Sequence, residues 1–267
     1  MSDSSSTIRF DDGNAYERYM GIWSRLAGET FLDWLNPATG LHWLDVGCGN
    51  GAFTLRLAER CAPASLAGVD PSEAQIAFAK NRKDVIDRGG AAFRTGDAMA
   101  LPYPDGTFDA AVMPLVIFFV PEPAQGVAEM VRVVRPGGMI SAYAWDMPGG
   151  GFPYEAVRRE LTALNVTFSR EPHPEASRLE VLQSLWTNAG LEEVETYRIP
   201  VQRTFADFEE YWAVVRGGPS FGSRIQALSP EVLDLLKSRL RAGLPADADG
   251  SITYGAVAHA VKGRVPG

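Results

Sequence analysis

Residues 44–51 read Leu-Asp-Val-Gly-Cys-Gly-Asn-Gly, and they set the tightest limit on how this chain folds. An apolar run over 42–46 meets three alternating glycines, Gly47, Gly49 and Gly51, and an amphipathic stretch follows over 52–61. That order predicts a strand, a tight turn and a helix N-terminus, because a residue without Cβ takes positive φ at little cost and lets a ligand reach the main chain. Asp45 stands two residues before Gly47. A carboxylate there repels a pyrophosphate and attracts a cationic amino group or a sulfonium. The loop therefore points away from NAD and toward S-adenosylmethionine.

The 267 residues suffice for one large α/β domain or a domain with a modest insertion. A net charge of −8 lacks the basic face that DNA and RNA binding demand, so nucleic acid is not the expected partner. The two cysteines, Cys48 and Cys61, form neither a disulfide framework nor a zinc-site spacing. Residues 1–13, rich in Ser and Asp, read as a disordered start without a signal sequence. The apolar run over 110–120 is too short for a membrane span and contains Pro114, so the chain is expected in the cytoplasm.

Along the chain, residues 14–35 place Tyr16, Tyr19, Met20, Trp23, Leu26, Ala27, Phe31 and Trp34 near helical spacing, with a break at Gly21 or Gly28. From residue 41 onward, strands at 42–46, 65–70, 92–95, 108–113 and 139–145 alternate with helices at 52–61, 73–88 and 122–134. Such alternation is the signature of a parallel sheet with helical crossovers. Pro136 and Gly137 occupy positions that a type II turn favours. Residues 147–177 leave the pattern, with a helical piece at 154–164, and read as a lid or substrate wall. A helix at 178–189, a strand at 191–201, an aromatic helix at 204–216, a helix from Ser229 to Gly243 and a strand at 251–261 complete the chain. Residues 204–243 thus form a helical insertion.

Three acids fall at the carboxyl ends of the first three strands, where open parallel sheets bind ligands: Asp45, Asp70 and Asp97. Asp70 lies at about the ~20-residue distance from the glycine loop that ribose recognition requires. Asp97, between Gly96 and Ala98, suits the exocyclic amine of adenine. With Leu44–Gly51, Gly68–Ala79, Gly96–Asp109 and Glu129–Gly138 in this order, the chain resembles class I S-adenosylmethionine-dependent methyltransferases of the ubiquinone and menaquinone biosynthesis type (Methyltransf_11).

The resemblance implies a three-layer Rossmann-like sheet of seven strands, mostly parallel with the last strand antiparallel, over residues 41–265. It implies further that residues 14–40 form a helical cap over the cofactor mouth. On this chain the implied cofactor pocket comprises Asp45, Gly47, Cys48 and Gly49 at the methionine part, Asp70 and Pro71 at the ribose, and Gly96, Asp97 and Ala98 at the adenine. Met113, Pro114 and Leu115 would flank the sulfonium, with Tyr19 and Trp23 shielding it through their ring faces. No Asn/Asp-Pro-Pro-aromatic motif follows the fourth strand, which separates the chain from DNA-adenine methyltransferases.

Methyl transfer from a sulfonium needs in-line placement of an acceptor more than a catalytic triad. A general base helps phenol, amine or acidic-carbon acceptors, and His173, between Pro172 and Pro174 in the presumed lid, is the candidate. His42 and His259 read as structural. Phe118, Phe119, Phe152, Tyr154, Tyr211 and Trp212 are candidates for an apolar acceptor pocket or for core. The expected partner is a small-molecule methyl acceptor, with no metal. A non-catalytic cofactor-binding module and a nicotinamide-dependent oxidoreductase are the rival readings.

Overall fold

The computed structural model describes residues 17–218 and 221–267. The segment 1–13 and Tyr16 lie outside the described residues.

Seven strands form one sheet in the order β3-β2-β1-β4-β5-β7-β6. They are β1 His42–Val46, β2 Ser65–Asp70, β3 Ala92–Thr95, β4 Phe108–Pro114, β5 Val134–Trp145, β6 Glu192–Phe205 and β7 Ile252–Arg264. The first five run parallel, and β7 is antiparallel to both β5 and β6. Trp43, Leu44, Asp45 and Val46 are all buried, so β1 is covered on both faces, as a parallel sheet between two helical layers requires.

The helices are α1 Ile22–Leu35, preceded by a π-helical turn at Glu17–Gly21, α2 Ala52–Cys61, α3 Glu73–Lys80, α4 Lys83–Ile86, α5 Pro123–Val133, α6 Glu155–Ala163, α7 Leu179–Asn188, α8 Phe208–Arg216, α9 Gly222–Gln226 and α10 Pro230–Gly243. The break in the first helix falls at Gly21, while Gly28 stays helical and lies close to Phe53 and the Tyr143 hydroxyl. Helix α1 packs on β6, β7 and α2. Among the described residues no helix is long and apolar enough to cross a membrane.

Two expected elements differ. The helix anticipated over 73–88 stops at Lys80 and restarts at Lys83, because Arg82 takes an extended conformation and pairs with Asp84 at 2.9 Å. The helix anticipated from 204 begins only at Phe208: the alternation of Ile199, Val201, Arg203 and Phe205 carries β6 through Phe205, and Asp207 then caps α8 by accepting the Glu210 amide at 2.8 Å. The anticipated turn at Pro136 survives as an irregularity in β5, with Gly137 at φ +75°.

Trp186 of α7 fastens the antiparallel side of the sheet. Its indole is fully buried and donates to the Ile140 carbonyl at 3.2 Å, and Gly263 of β7 sits so close that a Cβ there would lie 3.0 Å from the ring. Trp186→Ala is expected to lower the unfolding free energy by about 3–5 kcal/mol, measured by urea denaturation.

Candidate functional site

The three glycines behave as the motif demands. Gly47, Gly49 and Gly51 have φ of +74°, +52° and +79°. Gly47 and Cys48 donate their amides to the Val69 carbonyl at 2.7 and 3.0 Å, which pins the loop to the end of β2. A Cβ on Gly47 would come within 2.5 Å of Val116, whereas one on Gly49 would meet nothing within 4 Å. The first glycine is therefore required by packing against the segment after β4, and the second leaves its backbone open.

Asp70 gathers the neighbouring chain ends. Its carboxylate accepts the Gly49 amide at 3.0 Å and the Ser72 amide at 2.9 Å, and its carbonyl accepts the Gly96 amide at 3.1 Å. Burial raises its pKa, opposed by the two amide hydrogen bonds. A carboxylate has roughly four lone-pair sites, so both oxygens retain acceptor capacity toward a ligand. Pro71, beside it, is exposed. The third acid, Asp97, accepts the Met99 amide at 2.9 Å and is exposed, between the half-buried Gly96 and Ala98.

Asp45 is fully buried behind the loop. One oxygen accepts the Thr54 hydroxyl at 2.6 Å, and the other has no hydrogen-bond partner. Burial pushes its pKa up to about 7, the Thr54 hydrogen bond opposes this, and the charge of Asp70 adds to it. Cys48 is buried in a small apolar cluster with Leu55, Ile76, Ala79, Val85 and Phe93, and burial drives its thiol far above the ordinary value.

At the end of β4 the chain strains. Leu115 adopts φ +59°, a left-handed conformation costly for a branched side chain, and its amide donates to the Tyr143 carbonyl at 2.7 Å. Met113 is packed in the main core and Pro114 is buried, so Leu115 and Val116 are the half-buried side chains of this segment. The amide of His173 donates to the Phe118 carbonyl at 3.0 Å, which ties the excursion after β5 to the same segment.

The aromatic residues gather elsewhere on that edge. Tyr19 stacks on Tyr154 at 4.1 Å between ring centroids, and Trp23 meets Tyr254 at 5.2 Å. Both are buried, and these ring partners lie at the β6–β7 side of the sheet. Sequence reasoning missed Thr54, Val116 and Arg203. A hydroxyl nine residues after a buried acid carries little signal by itself, but Arg203 in an alternating apolar file was visible.

The two loop glycines respond differently to a methyl group. Gly47→Ala combines left-handed strain with overpacking on Val116 and is expected to cost about 2–4 kcal/mol in urea unfolding. Val116→Ala in the same chain recovers the overpacking part, while Gly49→Ala alone costs only the strain.

Residues 44–142 match the family model described as Methyltransferase domain, Methyltransf_11. A ubiquinone/menaquinone biosynthesis C-methyltransferase of Roseobacter denitrificans is 34% identical over 117 residues, which cover 43% of this chain and 47% of that protein. A demethylmenaquinone methyltransferase of Shouchella clausii is 37% identical over 115 residues, covering 43% and 49%. The chain thus spans about half the length of the curated relatives it matches. Among solved structures, a putative methyltransferase from Bacillus halodurans superposes with a TM-score of 0.58 at 18% identity, covering 91% of this chain and 100% of that one. Phosphoethanolamine N-methyltransferase 2 of Haemonchus contortus, in complex with S-adenosyl-L-methionine, gives 0.61 at 17% identity, covering 98% and 59%. These two likenesses concern the fold, and the likeness to the Methyltransf_11 methyltransferase domain is confined to residues 44–142.

Proposed function

We propose that the chain is an S-adenosylmethionine-dependent methyltransferase acting on a small-molecule acceptor. The observation that carries this reading is the unpartnered, fully buried oxygen of Asp45 at the end of the strand that leads into the glycine loop, where Gly49 leaves its backbone open. A buried carboxylate oxygen without a donor is expensive unless a cation or donor completes it. An amino acid ammonium meets that need, and a pyrophosphate does not. One curated relative is named a ubiquinone/menaquinone biosynthesis C-methyltransferase and the other a demethylmenaquinone methyltransferase, which supports transfer to a small organic acceptor.

In this reading Asp45, Gly47 and Gly49 hold the methionine part, Asp70 and Pro71 the ribose, and Gly96, Asp97 and Ala98 the adenine. Cys48 supports the loop from its apolar cluster, and Pro114, Leu115 and Met113 shape the wall beside the sulfur. When bound, S-adenosylmethionine supplies a methyl group already carried on a good leaving group. The protein's part is to hold the acceptor in line and exclude water, for which effective molarities of roughly 10^5 M are available. The half-buried apolar side chains of Leu115, Val116 and Phe119 suit water exclusion.

Asp45 makes donor binding pH-dependent. Its folded pKa lies at about 7, above the ordinary carboxylate value, so below pH 7 it must lose a proton to pair with an ammonium group. Affinity for S-adenosylhomocysteine, measured by titration calorimetry, is expected to rise with pH by up to about tenfold per unit below 7 and to flatten above it. Asp45→Asn binds more weakly and loses this dependence. No binding of S-adenosylmethionine or its demethylated product to the wild-type chain would overturn the function, and methyl release on an acceptor panel distinguishes turnover from binding alone.

His173 supports a second step. Its tie to Phe118 sets it beside the segment after β4, where it is proposed to take a proton from the acceptor. His173→Ala is expected to lower the methylation rate while leaving S-adenosylhomocysteine affinity unchanged.

A further inference from the structure

The final two strands overrun the sheet. The last β5–β7 pair is Trp145 with Ala258, yet β7 and β6 stay paired with each other from Val257–Pro200 out to Ile252–Phe205. At ~3.4 Å per residue this two-stranded ribbon rises about 20 Å past the carboxyl edge of the parallel strands. Its buried face alternates Ile199, Val201, Arg203 and Phe205, so one arginine interrupts an apolar file.

Arg203 is 7% exposed, and its Nη1 is buried without a hydrogen-bond partner. Among the described residues no carboxylate pairs with it. Its guanidinium lies 4.1 Å over the Phe205 ring and faces the Tyr154 hydroxyl, which itself donates to the Tyr19 carbonyl at 2.6 Å. The register partner of Arg203 is Tyr254, and Tyr211 of α8 packs edge-on to Tyr254 at 6.1 Å. The hydroxyls of Tyr211 and Tyr254 are likewise buried and unpartnered. Burial raises the pKa of both phenols, so they remain protonated donors.

One cation and two unpartnered phenols are therefore enclosed together with no carboxylate among them, and the neutral Tyr154 hydroxyl that hydrogen-bonds with the guanidinium brings no countercharge. An unpaired buried charge costs several kcal/mol, which an anion entering the cage would repay. A single positive charge matches a monoanion better than a phosphate dianion, and a planar guanidinium with flat aromatic walls fits a planar carboxylate. The cage belongs to β6, β7 and α8, whereas the residues assigned to the methyl donor lie at the ends of β1, β2, β3 and β4, with β5 between the two groups in the sheet. Solvent does not reach these atoms, so an occupant has to part the contact between α8 and the turn at Glu17–Gly21.

We propose that this cage is the acceptor subsite and that Arg203, with the hydroxyls of Tyr211 and Tyr254, binds a carboxylate group of the methyl acceptor. This rests on the methyltransferase reading for the word acceptor, but the anion site is tested without turnover. Benzoate, acetate, benzamide and inorganic phosphate are titrated calorimetrically into the full chain, with and without S-adenosylhomocysteine. Benzoate or acetate is expected to bind and neutral benzamide at least about tenfold more weakly, as loss of a charge-assisted pair implies. Arg203→Met is expected to abolish carboxylate binding while S-adenosylhomocysteine affinity changes less than about twofold.

Tyr211→Phe keeps the ring and the fold and is expected to weaken benzoate severalfold, so the test stands if Arg203→Met does not fold. Equal binding of benzoate and benzamide, tighter binding of phosphate, carboxylate binding that survives Arg203→Met, or no binding of either carboxylate would each overturn the proposal. Failure of S-adenosylhomocysteine to bind would sink the methyltransferase reading and leave the carboxylate titrations to decide the cage separately.

Discussion

The Asp70 carboxylate is the contact on which the candidate site depends. It crosses from the end of β2 to the amide of Gly49 and back to the amide of Ser72, while its own carbonyl holds Gly96 at the end of β3. One side chain thereby fixes the loop after β1, the start of α3 and the approach to Asp97. Charge-assisted bonds to backbone amides are among the stronger ones available to a protein, and here they are partly buried. The glycine loop owes its position to Asp70 and its shape to positive φ. Val116 closes it from the side of β4, so the loop is held between two strand ends.

The antiparallel side of the sheet solves a different problem. Parallel strands stop where their crossover helices begin, and they cannot build height above the carboxyl edge. A pair of long antiparallel strands can, since each satisfies the other's backbone groups. The β6–β7 ribbon uses this freedom to carry Arg203 and Tyr254 above the edge, where α1 and α8 enclose them. Here Tyr19 and Trp23 find their ring partners, so the aromatic stripe of the N-terminal helix is first of all packing against this ribbon.

What could be read from residues alone follows the range of the forces involved. The glycine turn, the strand ends at Asp45 and Asp70 and the alternation that makes the sheet parallel are written in neighbouring residues, and the structure places them as the pattern implied. The break at Arg82 escaped because a helical pattern continues through it, and only an extended backbone with a local Asp84 pair interrupts it. Phe205 reads as helical from the aromatic run that follows it, yet the strand continues there because β7 supplies a partner 47 residues later, at Ile252. The closure of Val116 on Gly47 belongs to the same class, since it joins segments that meet through the pairing of β1 with β4.

Among the described residues, Asp45 at the end of β1 and Arg203 on the ribbon are buried ionisable groups without a counterion. They are opposite in sign, yet they are separated by β4, β5 and β7 in the sheet order and do not neutralise each other. A core under selection for stability alone would replace both with apolar residues, because burying an unpaired charge costs more than packing returns. Their retention is rational if each is completed by a ligand, a cation at one end of the edge and an anion at the other. The strained Leu115 directly follows β4, between those two positions in the sheet order, and its left-handed turn is a further local cost at the same edge. On this view the protein concentrates its unfavourable terms along one edge, so that a positively charged donor and a negatively charged acceptor are drawn to separate ends and oriented toward each other across the end of β4.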